Sequence, residues 1–372
     1  MITNIIRDKI FRRTHFARQN WKTNFHNLLN KNYNELIYDY KRFGNKNKNK
    51  FFYVIKRSPG AGFFSNLNFV IQHLLIADKK NFIPVIDMEN FQTFYNCKTK
   101  IKKTKNSWNY YFKPVSSYDL KEVYNSYNVI FCDNRTSVKA FNKEISKSIF
   151  RYFNGFQFLS QDHKNIINKY IKIDEDIEKE ALKIYRNFKH KKVLGICFRG
   201  TDAKLSAYQP HAPTLKQMLN HTEKLLKKYN FNKIYLCTED INYLKIYKKK
   251  YGDMLIFNYK SPRTNDKVDL FSYPQKNHRY KVGRGNLVDM IVLQKVDHLL
   301  SSVSNIPYTA LFFSKKNITH SVIDNGIRGG LISSYFSYYI KRLLPEFLGG
   351  FNNKLITKKK LIKPKKSDFP II

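Results

Sequence analysis

Acidic residues are scarce in this chain: 28 Asp and Glu stand against 68 Lys and Arg, a formal net charge of +40 over 372 residues. Such an excess attracts phosphates, nucleic acid or an anionic membrane surface. The lysines, however, are spread along the whole chain beside Asn, Ile, Tyr and Phe, as in NKNYNELIYDYKRFGNKNKNKFFYVIK, which reads as a solvated lysine-rich surface rather than one basic face. Glycine (14) and proline (11) are few, while 42% of residues are hydrophobic and 16% aromatic, which excludes a disordered chain and predicts a globular one. The four cysteines, Cys97, Cys132, Cys197 and Cys237, show neither CxxC nor Cys/His spacing, so they read as buried reduced thiols of a reducing compartment. No apolar run reaches the roughly 18 residues of a membrane span, and charges interrupt the opening MITNIIRDKIFRRTHFARQNW where a secretory leader is apolar. The expected protein is soluble and cytoplasmic, with peripheral membrane contact through its basic ends as the one membrane role left open. No clear DxD pair or His cluster stands out, which agrees with chemistry that needs no metal.

The length predicts two domains, because single cores stop growing near about 250–300 residues. Residues 1–48 read as a basic N-terminal extension ending in GNKNKNK, and 49–189 as a first α/β domain. Within it FFYVIK, the Pro59–Gly60 turn, the SNLNFVIQHLLIADKKN helix and the FIPVIDM strand form a βαβ unit. The strand NVIFCD follows, then one long helical segment over about 162–188. A second domain, 190–345, opens at KKVLGICFRG and alternates strands with helices, among them helices over 214–229, 242–251, 287–295 and 306–313. That is a doubly wound α/β pattern. Residues 346–372 read as a basic C-terminal tail.

In open α/β sheets ligands bind at the carboxyl ends of strands, so residues directly after strands carry the functional information. Four such places stand out. In SPGAGFFSNLN, Gly60 and Gly62 allow close backbone approach and Ser65 or Asn66 can cap a helix aimed at an anion; a plain strand-to-helix turn is the alternative. In CFRGTDAK, Arg199 stands past an apolar strand, where a guanidinium can chelate a diphosphate, and Asp202 can orient it or simply pair with it at the surface. In YLCTED, Thr238, Glu239 and Asp240 can bind ribose or guanine N–H groups, or the acids can start the next helix. In GRGNLVDMIVLQKVDHLLSSVSNIPYTALFF, Asp289 is expected on the first turn of a helix. Ser304 and Asn305 there form either a phosphate-binding corner or an ordinary N-cap.

This ordered set resembles the superfamily of α1,6-fucosyltransferases and protein O-fucosyltransferases. GAGFFSNLNFVIQHLLIADKKNFIPVID is similar to their Gly-x-Gly turn, helix and strand, CFRGTD to their arginine strand, CTED to their "ATDD"-like strand end, and DMIVLQKVDHLLSSVSN to their Asp-helix-strand-"SS" stretch. The correspondence runs from about Gly60 to Phe313. It implies a GT-B fold of two facing Rossmann-like domains, with the nucleotide sugar held by the second. By the same resemblance Arg199 binds the β-phosphate, Asp289 the nucleoside, and Ser304 with Asn305 the phosphate and sugar. The chain departs from the pattern at Gly200, where the α1,6 enzymes carry a second arginine, and at Cys197, where they carry a histidine-like position. No residue at Ala207 or Tyr208 matches their glutamate, and His211 lies near their His-Pro pair.

The reaction so implied is inverting, metal-independent transfer of fucose from GDP-fucose to a glycan hydroxyl, with Arg199 and helix dipoles neutralising the departing diphosphate and His211 as candidate base. The partners are then a nucleotide-sugar donor and a glycan acceptor, and no specific nucleic acid. A transferase of the same fold using another nucleotide sugar for surface polysaccharide, and a basic nucleic-acid-binding protein, are the two rival readings.

Overall fold

The computed structural model describes residues 39–58, 60–132, 161–200, 210–265, 276–325, 338–348, 350–351 and 355–358. They form two doubly wound α/β lobes, the plan implied by the GT-B resemblance. The N-terminal sheet holds β1 (Asp39–Lys41), β2 (Lys46–Ile55), β3 (Ile83–Ile86) and β4 (Ser126–Phe131) in the order β1-β4-β2-β3. β2 pairs parallel with β3 and β4, and β1 closes the edge antiparallel. The C-terminal sheet holds β5 (Val193–Cys197), β6 (Lys233–Cys237), β7 (Leu255–Phe257), β8 (His298–Ser302), β9 (Thr319–Ile323) and β10 (Leu355–Lys358) in the order β10-β9-β8-β5-β6-β7. All its neighbours are parallel except β10 on β9.

The helices are α1 (Phe63–Lys79), α2 (Leu120–Val123), α3 (Gln161–Tyr170), α4 (Glu175–Arg186), α5 (Leu215–Tyr229), α6 (Ile241–Tyr251), α7 (His278–Leu293) and α8 (Asn305–Phe313). Local chemistry fixes several starts: Thr214 and Gln217 form a capping box on α5, and Asp240 accepts from Asn242 N and Tyr243 N at the start of α6. α1 is buried nearly all round, as a helix enclosed by a sheet and a second lobe must be.

Four boundaries differ from the sequence expectation. The polar KNKNK run is part of β2 rather than an appendage, because Asn128 Nδ2 donates to Lys48 O and Lys50 O while the lysine side chains stay in water. The run expected to be a free tail after 345 supplies β10, paired residue by residue with β9 from Leu355↔Ile323 to Lys358↔His320. The long segment over 162–188 is two helices. They break where Asp174 N donates to Tyr111 O and Lys113 N to Lys172 O, so the chain exchanges helical bonds for bonds to the 111–113 loop. Finally, α7 begins at His278, more than two turns before the expected start at Leu287.

Those extra turns of α7 join the lobes. One apolar core runs unbroken from Phe63, Leu67 and Tyr111 of the first lobe through Ile177 and Ala181 of α4 to Val282, Leu287 and Ala310 of the second. Gly283 is required here: a Cβ at that position would lie 2.4 Å from the Tyr111 hydroxyl oxygen. Tyr111 OH donates to Tyr280 O at 3.3 Å, and its ring stacks on Tyr280 with centroids 5.6 Å apart. Arg284 closes the contact by donating from Nε and Nη2 to Glu180 Oε2 of α4 at 3.0 and 2.7 Å.

Three buried imidazoles are held neutral inside this frame. His73 meets Tyr53 OH at 2.9 Å, His298 meets Ser321 Oγ at 2.7 Å, and His320 meets Ser301 Oγ at 2.8 Å. Burial, more than the nearby Arg57, Lys228 and His298 charges respectively, pulls their pKa values down to about 3, 4 and 3. Each lies below its value in the unfolded chain, so the stability it contributes is full above about pH 6.5. It is then lost at about 1.4 kcal/mol per pH unit as pH falls towards the folded pKa. Thermal melts between pH 7.5 and 4.5 are therefore expected to show the midpoint falling steadily below pH 6.5, and His320→Asn to make that fall shallower.

Candidate active site

In each lobe the chain crosses from one side of its first central strand to the other, which opens a crevice at the carboxyl end of the sheet. In the N-terminal lobe the crevice lies between β2 and β4, and the turn after β2 carries Gly60 and Gly62. In the C-terminal lobe it lies between β5 and β8. Cys197 of β5 is level with Ser301 of β8, so Arg199, two residues past Cys197, and Val303 and Ser304, just past β8, leave adjacent strands about 4.8 Å apart. Arg199 and the Ser304–Asn305 corner, far apart in sequence, thus flank one crevice.

The corner is not an ordinary N-cap. Ser304 occupies the N-cap position of α8 with extended dihedrals, yet its side chain makes no capping hydrogen bond. The first N–H groups of α8 and the Ser304 hydroxyl are left for another acceptor, and Asn305 Oδ1 is buried without a hydrogen-bond partner. Arg199 is partly exposed at the end of a fully buried strand.

Gly200 is explained by packing. A Cβ there would stand 2.6 Å from both Asp240 Oδ2 and Tyr243 Cε2, because the ring of Tyr243 stacks on Phe198 at 4.1 Å between centroids. Gly200 N also donates to Glu239 Oε1 at 2.9 Å, which ties the loop after β5 to the loop after β6. A second arginine next to Arg199 is therefore sterically excluded.

Beyond β6 lies a charged cluster centred on Asp289. Its carboxylate, 3% exposed, accepts from Tyr235 OH at 2.5 Å. Burial pushes its pKa up to about 6, against the opposing pull of the Tyr235 hydrogen bond and the Arg263 charge. Arg263 donates from Nη1 to Ser261 O at 3.1 Å and lies 5.3 Å from the centre of the Phe257 ring, while its Nε and Nη2 are buried with no partner. The loop that carries it is fixed to the same edge: Thr264 N donates to Glu239 O, and Ile241 N to Thr264 O. Sequence reading passes over Arg263, which falls inside a stretch rich in basic and polar residues. The only available signal is its place after β7, the same positional rule that marks Arg199.

Several expected site residues have other work. Asn66 braces the Gly60 turn, accepting from Ala61 N at 2.9 Å and donating to Ala61 O at 3.2 Å, while Gly60 itself has φ +78°. Its amide is thus committed to the turn rather than to a donor. Gly62 is exposed, and a Cβ there would meet nothing within 4 Å, so the chain keeps open space at the start of α1. Asp240 caps α6 and Thr238 Oγ1 accepts from Asp240 N, and both are buried. His211 is 1% exposed, and its ring packs edge-on against that of Phe351. Asp289 is not on a first turn but about three-quarters of the way along α7, because that helix starts earlier. Asp202 lies outside the described residues. Among the described residues no group of three or more His, Cys, Asp and Glu is placed to hold a metal ion. Two concavities belong to the N-terminal lobe. The larger, about 260 Å³, is lined in part by Glu89, Asn109, Trp108 and Tyr118.

No protein-family model and no curated protein matches the chain. Among solved structures it is similar to the fucosyltransferase NodZ from Bradyrhizobium, at 16% identity over 74% of this chain and 96% of that one, with a TM-score of 0.46. It is also similar to POFUT1 in complex with GDP, at 11% identity over 70% and 93% of the two chains, with a TM-score of 0.36.

The contact at Gly200 is testable by itself. Gly200→Ala pushes a methyl against the cap of α6 and is expected to cost about 1–3 kcal/mol, read as a lowered urea midpoint with an unchanged slope.

Proposed function

We propose that the chain is an inverting, metal-independent glycosyltransferase that transfers fucose from GDP-fucose to a glycan hydroxyl. The observation that carries this reading is the convergence of Arg199 and the uncapped α8 N-terminus on the β5/β8 crevice. It supplies a planar cation and a fan of N–H groups where a diphosphate fits. The acceptor oxygen attacks the anomeric carbon from the face opposite the nucleotide. The new C–O bond forms as the bond to the β-phosphate oxygen breaks, the electron pair leaves with GDP, and the hydroxyl proton passes to solvent or a base. Arg199 and the α8 dipole stabilise the charge that grows on the leaving diphosphate. The acceptor sits on the N-terminal lobe, where Trp108 and Tyr118 border the larger concavity.

Asp289 and Arg263 favour guanine among the bases. A carboxylate accepts from guanine N1–H and N2–H, and a guanidinium donates to O6 and N7, whereas adenine offers the opposite pattern at the first pair. The Nε and Nη2 protons that Arg263 leaves unused are donors of this kind.

Calorimetric titration with GDP, UDP and dTDP tests the donor class. GDP is expected to bind tightest, with EDTA making no difference, and Arg199→Ala to abolish transfer while the melting profile stays that of the parent. Tightest binding by UDP or dTDP would replace GDP-fucose with another nucleotide sugar. Because guanine needs the ionised carboxylate, GDP affinity is expected to weaken as pH falls through about 6, the value to which burial raises Asp289. In Asp289→Asn affinity should be lower and flat with pH.

A further inference from the structure

The strongest surface anomaly of the described residues lies at the C-terminal end of the second lobe, far in sequence from the transfer machinery. The helical turn over 338–343 and the 3-10 turn Glu346–Leu348 expose Leu343 and Phe347 at 84% each, Leu348 at 57%, Ile340 at 52% and Tyr339 at 45%. Scattered exposed apolar side chains are ordinary, but five within ten residues form a contiguous patch of the kind that marks an interaction site. The patch is held in place. Tyr338 is 2% exposed and packs its ring 5.5 Å from that of Phe351, and Phe351 packs in turn on His211. Phe351 N donates to Lys341 O and Gly350 N to Pro345 O, which folds the segment back on itself so that the apolar side chains stand on its outer side.

Charge identifies what covers it. Lys341 and Arg342 are interleaved with the apolar residues, and a single acid, Glu346, accompanies them. Aromatic and aliphatic side chains set among arginine and lysine suit the boundary between anionic headgroups and acyl chains, where the first insert and the second meet phosphate. A protein partner of matching apolar shape would not need the surrounding excess of positive charge.

We propose that the 338–348 turn docks this protein on an anionic lipid bilayer, with Leu343 and Phe347 inserted and Lys341 and Arg342 at the headgroups. The docking is independent of the transferase reading: it uses none of the residues placed at the crevice or around Asp289.

The test is co-sedimentation of the full chain with vesicles of phosphatidylcholine alone and of phosphatidylcholine with phosphatidylserine, at physiological salt, for the parent and for Leu343→Ser/Phe347→Ser. Both positions are in solvent, so the variant is expected to melt like the parent. The parent is expected to bind the anionic vesicles and not the neutral ones, and the variant to lose roughly tenfold or more of that binding, because two apolar anchors are gone. Equal binding of parent and variant would overturn the proposal, since lysine charge alone would then account for the attraction. A parent that sediments as a dimer without lipid, and a variant that is monomeric, would overturn it in favour of a second copy covering the patch.

Discussion

The phenol of Tyr111 seated in the gap left by Gly283 is the contact on which the arrangement of the two lobes rests. Any side chain larger than hydrogen on that turn of α7 would displace the ring, and the ring is also an edge-to-face neighbour of Phe63 at the start of α1. Burial holds the Tyr111 hydroxyl pKa well above its ordinary value, so it remains a donor to the α7 carbonyls. One aromatic residue therefore links the helix after the first lobe's glycine turn to the helix that carries Asp289. The core spans both lobes instead of closing within each, and this fits an N-terminal sheet of four strands among the described residues.

Two doubly wound sheets joined in this way each offer a crevice where their topology reverses. The second is better equipped: a partly exposed arginine stands on one side and an uncapped helix terminus on the other. In the first, the glycine turn provides room. The buried ionisable cluster of Asp289, Arg263 and Tyr235 lies beside β6 and β7 of the second lobe, while the N-terminal concavity sets the carboxylates of Glu89 and Asp119 among aromatic and amide side chains.

Much of this was legible in the sequence because it depends on local pattern. The alternation of apolar strands with amphipathic helices locates β5 to β9 and α5 to α8 to within a few residues, apart from the start of α7, and with them the positions of Arg199, Ser304 and Asn305 just past strand ends. The misreadings share a cause: long-range pairing by backbone groups, which side-chain hydropathy does not register. The lysine run of β2 and the strand β10 look like polar ends because their main chains are paired by partners distant in sequence, Asn128 and β9. α7 looks short because its first turns, HRYKVGRG, are apolar only at Val282 and carry two glycines. Those glycines are there for Tyr111 and Ser261, partners 172 and 24 residues away in the chain. His211 and Asp240 stand out in the sequence by type and position, while only the fold shows the one packed on Phe351 and the other capping α6. Arg263 escapes notice because one arginine in a basic loop has nothing to distinguish it until Asp289 is seen beside it.

α7 touches the first lobe with its opening turns and holds Asp289 near its other end, on one continuous hydrogen-bonded rod. A rod of this kind transmits displacement without absorbing it. Any rocking of the lobes about Tyr111 must therefore swing the Asp289 carboxylate relative to β6, so the packing at one end of the rod is mechanically geared to the Tyr235–Asp289 hydrogen bond near the other.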